Sequence, residues 1–126
     1  MVDRLRTWRM MTISMAAIIT GNIFASAVFG VDAITITTEV DVLDGLHVYV
    51  VGLPDNAVKE SQHRVESAIK NNYYRFPRIK IIVNLSPADI RKTGAAFDLP
   101  IAVGILGATG QIPADGLHRY VIMGEL

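Results

Sequence analysis

Alternating hydrophobic and polar residues mark the first half of the chain. Between Ala33 and Val42, isoleucines and valines alternate with threonine, glutamate and aspartate, which is the pattern of a half-buried strand. The Asp44-Gly45 pair is typical of a tight turn, and residues 46–50 alternate again. These segments predict a β-hairpin, and residues 25–30 (ASAVFG) predict another short strand before it.

A helical period replaces the alternation after residue 52. Pro54 and Asp55 suit the start of a helix, and Lys70 suits its C-terminal end, where a cation opposes the helix dipole. The apolar stripe of this helix consists of Val58, Ser61, Val65, Ala68 and Ile69. The pattern predicts an amphipathic surface helix that ends near Asn71-Asn72.

The second half of the chain predicts two strands and a buried helix. Residues 79–85 alternate as a third strand, and Ile82 on its second face indicates cover on both sides. Residues 101–109 lack a polar stripe, which predicts a buried helix with Asp98 as its N-cap. Residues 120–123 predict the start of a last strand. The fold class is therefore α+β, a mixed sheet with helices packed on it.

Composition narrows the range of functions. The 126 residues suit one domain, and half of them are apolar, enough for a real core. The formal net charge is zero, which argues against nucleic-acid binding through overall charge but leaves a local basic patch open. The sequence has no cysteine, no histidine pair at metal-ligand spacing and no G-x-x-x-x-G-K-[ST] motif. We therefore expect neither a cofactor nor a metal in this segment.

The N-terminus allows two interpretations. Residues 1–27 combine three arginines, an apolar run and Ala25-Ser26-Ala27, which together fit a secretory signal peptide. The apolar run is too short and too interrupted to span a membrane. A leader that arises from the choice of start codon explains the same residues, since Met10, Met11 and Met15 could each begin the protein.

Residues 71–80 (NNYYRFPRIK), here called the connector, mix aromatic and cationic side chains. Such side chains stack nucleobases and hold phosphates, although aromatics that close the edge of the core produce the same pattern. The candidate contacts with DNA or a partner are Tyr73, Tyr74, Arg75, Arg78 and Lys80, with Arg91 and Lys92 as additions to the same patch.

The loop before the buried helix is the second candidate site. Its tight sequence Gly94-Ala95-Ala96 is of a kind that often holds a nucleophile in enzymes. Only Lys92 and Thr93 carry reactive groups there, and side chains of adjacent residues need not converge.

Three ordered strings carry a family resemblance: VGLPDNAVKES at 51–61, NLSPADIRK at 84–92 and FDLPIAVGIL at 97–106. They resemble the N-terminal domain of the magnesium-chelatase-like AAA+ ATPases, the competence protein ComM or YifB family. The resemblance implies that residues 24–126 share the fold of the Lon proteolytic domain, also found in a ribosomal small-subunit protein. Residues 1–23 would then be a disordered or non-native leader. We further expect the chain to be cut before an AAA+ module that binds ATP and Mg²⁺.

The same resemblance bears on activity. In Lon-type domains the loop that matches Lys92-Thr93-Gly94-Ala95-Ala96 carries the nucleophilic serine, and Ala96 occupies its position here. The resemblance therefore implies a domain without catalytic residues. It also implies that the domain belongs to a cytoplasmic, hexameric ring ATPase that moves DNA branches during integration of incoming DNA, with DNA as partner and no membrane. A serine-lysine peptidase relative and a module that only assembles the ring are the alternatives.

Overall fold

The computed structural model describes residues 23–29 and 32–126. The expected leader, residues 1–23, lies outside these residues apart from Ile23, and the expected signal peptide, residues 1–27, lies outside them apart from residues 23–27, which belong to the first strand. Four strands form one mixed sheet in the order β1-β2-β4-β3. Their bounds are β1 Ile23–Phe29, β2 Asp32–Leu43, β3 Val48–Val51 and β4 Lys80–Ser86.

The hairpin of the sheet joins β1 to β2, and the predicted hairpin across Asp44-Gly45 is wrong. β4 lies between β2 and β3, antiparallel to β2 and parallel to β3, so that Val83 pairs with both Val40 and Val50. Alternation along a strand shows which face is buried, but it does not show which strand lies alongside. A parallel pair needs a long crossover, and the helix between β3 and β4 supplies it.

The first helix, α1, spans Asn56–Asn71 and confirms the predicted amphipathic helix. Asp55 is its N-cap, and Oδ1 of Asp55 accepts a hydrogen bond of 2.8 Å from the backbone N–H of Val58. The buried face carries Val58, Ser61, Val65 and Ile69.

The second helix, α2, spans Asp98–Ala108 and is buried around most of its circumference, as predicted. The predicted capping role of Asp98 is wrong, because Phe97 is the N-cap and Asp98 is the first helical residue. Gly104 lets α2 approach the sheet closely, since a Cβ at this position would lie 2.4 Å from Cγ2 of Val40.

Both helices pack on one face of the sheet, which confirms the α+β class. The core joins Ile36 and Val40 of β2 with the buried residues of β4, α1 and α2. Ile82 points to the other sheet face and is half-buried. The predicted last strand is reduced to one bridge between Val121 and Phe24, where the N–H of Ile122 donates to the carbonyl of Phe24 at 2.7 Å.

Candidate functional site

The loop between β4 and α2 is held in place by Lys92. Its side chain is fully buried, and Nζ donates hydrogen bonds to the carbonyl oxygens of Gly52, at 2.7 Å, and Pro87. Its backbone is also paired, since Lys92 N–H donates to Leu53 O and Lys92 O accepts from Asp55 N–H. Burial lowers the pKa of Lys92, and nearby Asp89 acts in the opposite direction. Lys92 is therefore an internal anchor and cannot contact a partner at the surface, contrary to the sequence-based expectation.

The segment after Lys92 has glycine and alanine at positions 94–96, where a nucleophile would be expected. Thr93 is exposed and carries the one hydroxyl between residues 92 and 98. Ala96 is half-buried, and its carbonyl oxygen accepts a 2.9 Å hydrogen bond from Gly124 N–H. Within residues 23–29 and 32–126, no serine or threonine hydroxyl bonds to Nζ of Lys92. This geometry provides no activated nucleophile at the loop.

Asp55 connects the loop to α1. While its Oδ1 caps the helix, its Oδ2 accepts a 3.1 Å hydrogen bond from the N–H of Gly94. Gly94 has a φ of 82°, a left-handed conformation that glycine adopts without a steric penalty. One carboxylate therefore fixes the start of α1 and the tight turn of the loop together.

A buried ion pair joins the two helices. Asp98 is fully buried and accepts hydrogen bonds from Nε of Arg64 at 2.7 Å and from Nη2 at 3.0 Å. The same Nη2 donates to the carbonyl of Ala57 at 2.7 Å. The hydrogen bond with Asp98 raises the pKa of Arg64 above its ordinary value. The sequence gives no sign of this pair, because its partners are 34 positions apart.

The connector follows α1, and several of the residues predicted to contact DNA or a partner are exposed there. Tyr73 is 98% exposed, Tyr74 is 40% exposed, and Arg75 and Arg78 are both exposed. Lys80 is half-buried, and its Nζ lies 5.5 Å from the ring centroid of Tyr49.

Phe76 differs from the other aromatic residues of the connector. It is half-buried and packs against the core, so it closes the core edge as the alternative interpretation expected. The contact role of the remaining connector residues stays a prediction.

Arg91 and Lys92 lie away from the connector. Lys92 forms a β-bridge with Pro54, beside the N-terminal end of α1, whereas the connector begins at the C-terminal end. Arg91 is exposed, but the 16-residue helix, about 24 Å long, separates the two ends. The structure therefore does not join Arg91 and Lys92 to the connector patch.

A shallow hollow of about 320 Å³ lies beside the connector. Its wall includes His47, His63, Glu66, Phe76 and Arg78. Across the residues for which the structure gives positions, no cluster of three or more histidines and carboxylates is arranged for a metal ion. The described helices also lack one that is long and apolar enough to cross a bilayer.

The sequence reasoning missed two features of the connector. Gln111 exchanges hydrogen bonds with the backbone of Arg75: Oε1 accepts from Arg75 N–H at 2.8 Å, and Nε2 donates to Arg75 O at 2.7 Å. Tyr73 has a φ of 64°, in the left-handed region. The end of the helix at Asn71-Asn72 is the only signal in the sequence that a left-handed residue is near.

Comparison with known proteins identifies the family. The family model described as Subunit ChlI of Mg-chelatase matches residues 38–126. The uncharacterized protein YifB of Salmonella typhimurium is 50% identical over 101 residues, which are 79% of this chain and 20% of that protein. YifB of Escherichia coli is 48% identical over 101 residues, with the same coverage of 79% and 20%.

Competence protein ComM of Haemophilus influenzae is 44% identical over 105 residues, which are 82% of this chain and 21% of ComM. The chain thus spans about a fifth of the length of the curated relatives it matches. Because the family model covers most of the chain, the chain belongs to the family of Subunit ChlI of Mg-chelatase, as an N-terminal domain of the ComM and YifB type.

Proposed function

We propose that this domain is a non-catalytic part of a ComM-like AAA+ ATPase that processes DNA, and that it helps to hold the DNA. Similarity to a protein named competence protein ComM supports the DNA-processing role. The loop at residues 92–97, which offers methyl groups in place of a nucleophile, supports the non-catalytic role and carries this part of the proposal.

A peptidase of the serine-lysine type needs a hydroxyl beside a free amine that can accept its proton. The amine of Lys92 instead donates to two carbonyl oxygens, and Ala95 and Ala96 have no side-chain proton to give. Such a loop supports the fold and the attachment of α2. Its one hydroxyl, on Thr93, has no hydrogen bond to Nζ of Lys92 that could activate it.

A fluorophosphonate probe tests the non-catalytic role. We expect no covalent labelling of the protein, because activated serine or threonine hydroxyls are the groups that react with it. The matched variant is Thr93→Val, which keeps the shape of the side chain and removes the loop hydroxyl. Labelling of the natural protein that disappears in Thr93→Val would revive the peptidase alternative.

The local charge of the connector supports contact with DNA. The chain as a whole is neutral, but residues 67–88 contain no aspartate or glutamate and four basic residues. Arg75 and Arg78 are exposed and can reach phosphates, whereas Lys70 already pairs with Glu66 at 2.6 Å. A local cationic strip on a neutral domain is the kind of surface that binds a polyanion.

The double variant Arg75→Ala/Arg78→Ala tests this surface in the full-length gene product. We expect severalfold weaker DNA binding at low salt, and a plot of log K against log salt that is shallower by about two units. Lys59→Ala is the control, since Lys59 is an exposed cation about 20 Å away along α1. Unchanged affinity and an unchanged salt slope in the double variant would remove the connector as a DNA contact.

In the proposed ATPase, ATP and Mg²⁺ bind outside this domain. The described residues hold no group of carboxylates and histidines suited to a metal, and the sequence has no phosphate-binding loop. We therefore assign both to an AAA+ module outside this domain, in a cytoplasmic protein that forms a hexameric ring.

A further inference from the structure

On the basis of the DNA-binding role above, we propose that Tyr73 is a stacking platform for an unpaired nucleobase. The connector would then recognise single-stranded DNA in preference to duplex DNA.

The backbone at Tyr73 is the first observation. The N–H of Tyr74 donates to Ile69 O at 3.0 Å, and the N–H of Tyr73 donates to Lys70 O at 3.1 Å. These two bonds form a Schellman motif that closes α1, with Tyr73 at the left-handed position. Glycine is the usual residue there, because a Cβ in this conformation crowds the following carbonyl. A tyrosine at this position therefore strains the backbone.

The environment of the ring is the second observation. The side chain of Tyr73 is 98% exposed, so it buries almost no apolar area that could offset the strain. Strain without a compensating contact inside the domain indicates that the ring acts on something outside it. The connector thus presents an aromatic face to the solvent at the end of a rigid helix.

The segment after Tyr73 is held in a fixed position. Gln111 bonds to both the N–H and the carbonyl of Arg75, and its Nε2 also donates to Thr109 Oγ1 at 3.0 Å. Phe76 anchors the next turn of the chain in the core. The backbone next to the platform is therefore organised before a ligand arrives, which lowers the entropic cost of binding.

The charges around the ring favour a nucleic acid as the occupant. Arg75 and Arg78 are exposed, and neither forms a salt bridge with any residue that the structure describes. They can therefore hold the phosphates on either side of a base stacked on Tyr73. Bases inside a duplex are already stacked on both faces, so a tyrosine ring can engage only a base that is unpaired.

Binding of fluorescein-labelled oligo(dT) of about 30 nucleotides, longer than the site of one small domain, measures the effect. Binding of a duplex of equal length is measured in the same way. Both measurements use the full-length gene product without ATP. Tyr73→Leu removes the aromatic face, and we expect about tenfold weaker binding of oligo(dT) with little change for the duplex. Tyr73→Phe keeps the face and should bind like the natural protein.

Tyr73→Gly separates a binding role from a structural one. Glycine relieves the strained conformation, so we expect a higher melting temperature together with the same loss of oligo(dT) affinity. Tyr120→Leu is the matched control, because Tyr120 is also an exposed tyrosine, 65% accessible, but has an extended backbone. It should leave oligo(dT) binding unchanged.

The outcomes distinguish this inference from the proposal on which it rests. If Tyr73→Leu binds oligo(dT) normally while Arg75→Ala/Arg78→Ala weakens binding, the stacking role is wrong and the DNA-contact role stands. If neither variant changes binding, both are wrong. Equal losses for oligo(dT) and duplex, or an equal loss in Tyr120→Leu, would overturn the preference for unpaired bases.

Discussion

The ion pair between Arg64 and Asp98 should be the most sensitive polar contact of the domain. It joins α1 to the first turn of α2, directly after the loop at residues 92–97. Asp98 is fully buried, so its carboxylate depends on Arg64 and on the N–H of Leu126, which donates to Oδ2 at 3.2 Å. We therefore consider Asp98→Ala and Arg64→Met, alone and combined.

The expected magnitudes follow from burial. Removing one partner of a buried ion pair costs about 3–5 kcal/mol, because the other charge is left without compensation. Asp98→Ala should lie near 3 kcal/mol, since the Arg64 side chain is 27% exposed and keeps its bond to Ala57 O. Arg64→Met should cost more, about 4 kcal/mol, because the Asp98 carboxylate has no exposure to water.

The assay is urea unfolding followed by circular dichroism, which yields the free energy of unfolding for each variant. The double variant should cost much less than the sum of the single variants, with a coupling energy of about 2 kcal/mol or more. Glu66→Ala is the control. Glu66 pairs with Lys70 at 2.6 Å on the exposed surface of α1, where such a pair contributes at most about 0.5 kcal/mol.

Two results would refute the reasoning. One is a cost below about 1 kcal/mol for Asp98→Ala, which would mean that the carboxylate is not buried as the structure has it. The other is additivity of the two single variants, which would mean that Arg64 and Asp98 do not interact in solution.

Further predictions concern the core and the loop. Lys92→Met should lower the free energy of unfolding by about 2 kcal/mol, because Gly52 O and Pro87 O lose their donor. Burial lowers the pKa of Lys92 in the fold, so the unfolded chain binds more protons between that pKa and 10.5. The stability of the natural protein should therefore rise with pH through this interval, and urea unfolding at several pH values should find this rise missing in Lys92→Met. Gly104→Ala should destabilise the protein by about 1–3 kcal/mol, because its Cβ would lie 2.4 Å from Val40 Cγ2. Gly107→Ala, whose Cβ would meet Ala114 Cβ at 3.6 Å, should stabilise α2 by about 0.5–1 kcal/mol, and a Gly107 variant as damaging as the Gly104 variant would contradict this.

The features that could be predicted from the sequence are those with a local cause. The period of 3.6 residues in α1 identified its buried face, including Val58 and Val65, because neighbouring turns place these side chains on one side. The alternation in β2 identified Ile36 and Val40 as core residues for the equivalent reason. The apolar run of α2 predicted a buried helix, because no polar stripe was available to face the solvent.

The sequence identified candidate residues of the site, but it did not show which of them lie on the surface. Tyr73, Arg75 and Arg78 stand out in the sequence by their type, and the structure exposes all three. The sequence did not separate them from Lys92, whose charge and position look equally accessible but whose amine is buried among carbonyl oxygens. Burial of a long polar side chain depends on the segments around it, and Gly52 is 40 positions away.

Only the tertiary structure decided the pairing of distant segments. β4 lies between β2 and β3, and Asp98 turns from a helix cap into the partner of Arg64. These contacts join segments that are far apart in the sequence, and no periodic pattern in the sequence indicates which distant segments meet. They form because both helices pack on one face of the sheet. The sequence by itself determined which face of the strands and of α1 would be buried, because periodicity is a property of neighbouring residues. Which elements would meet was a property of the whole chain.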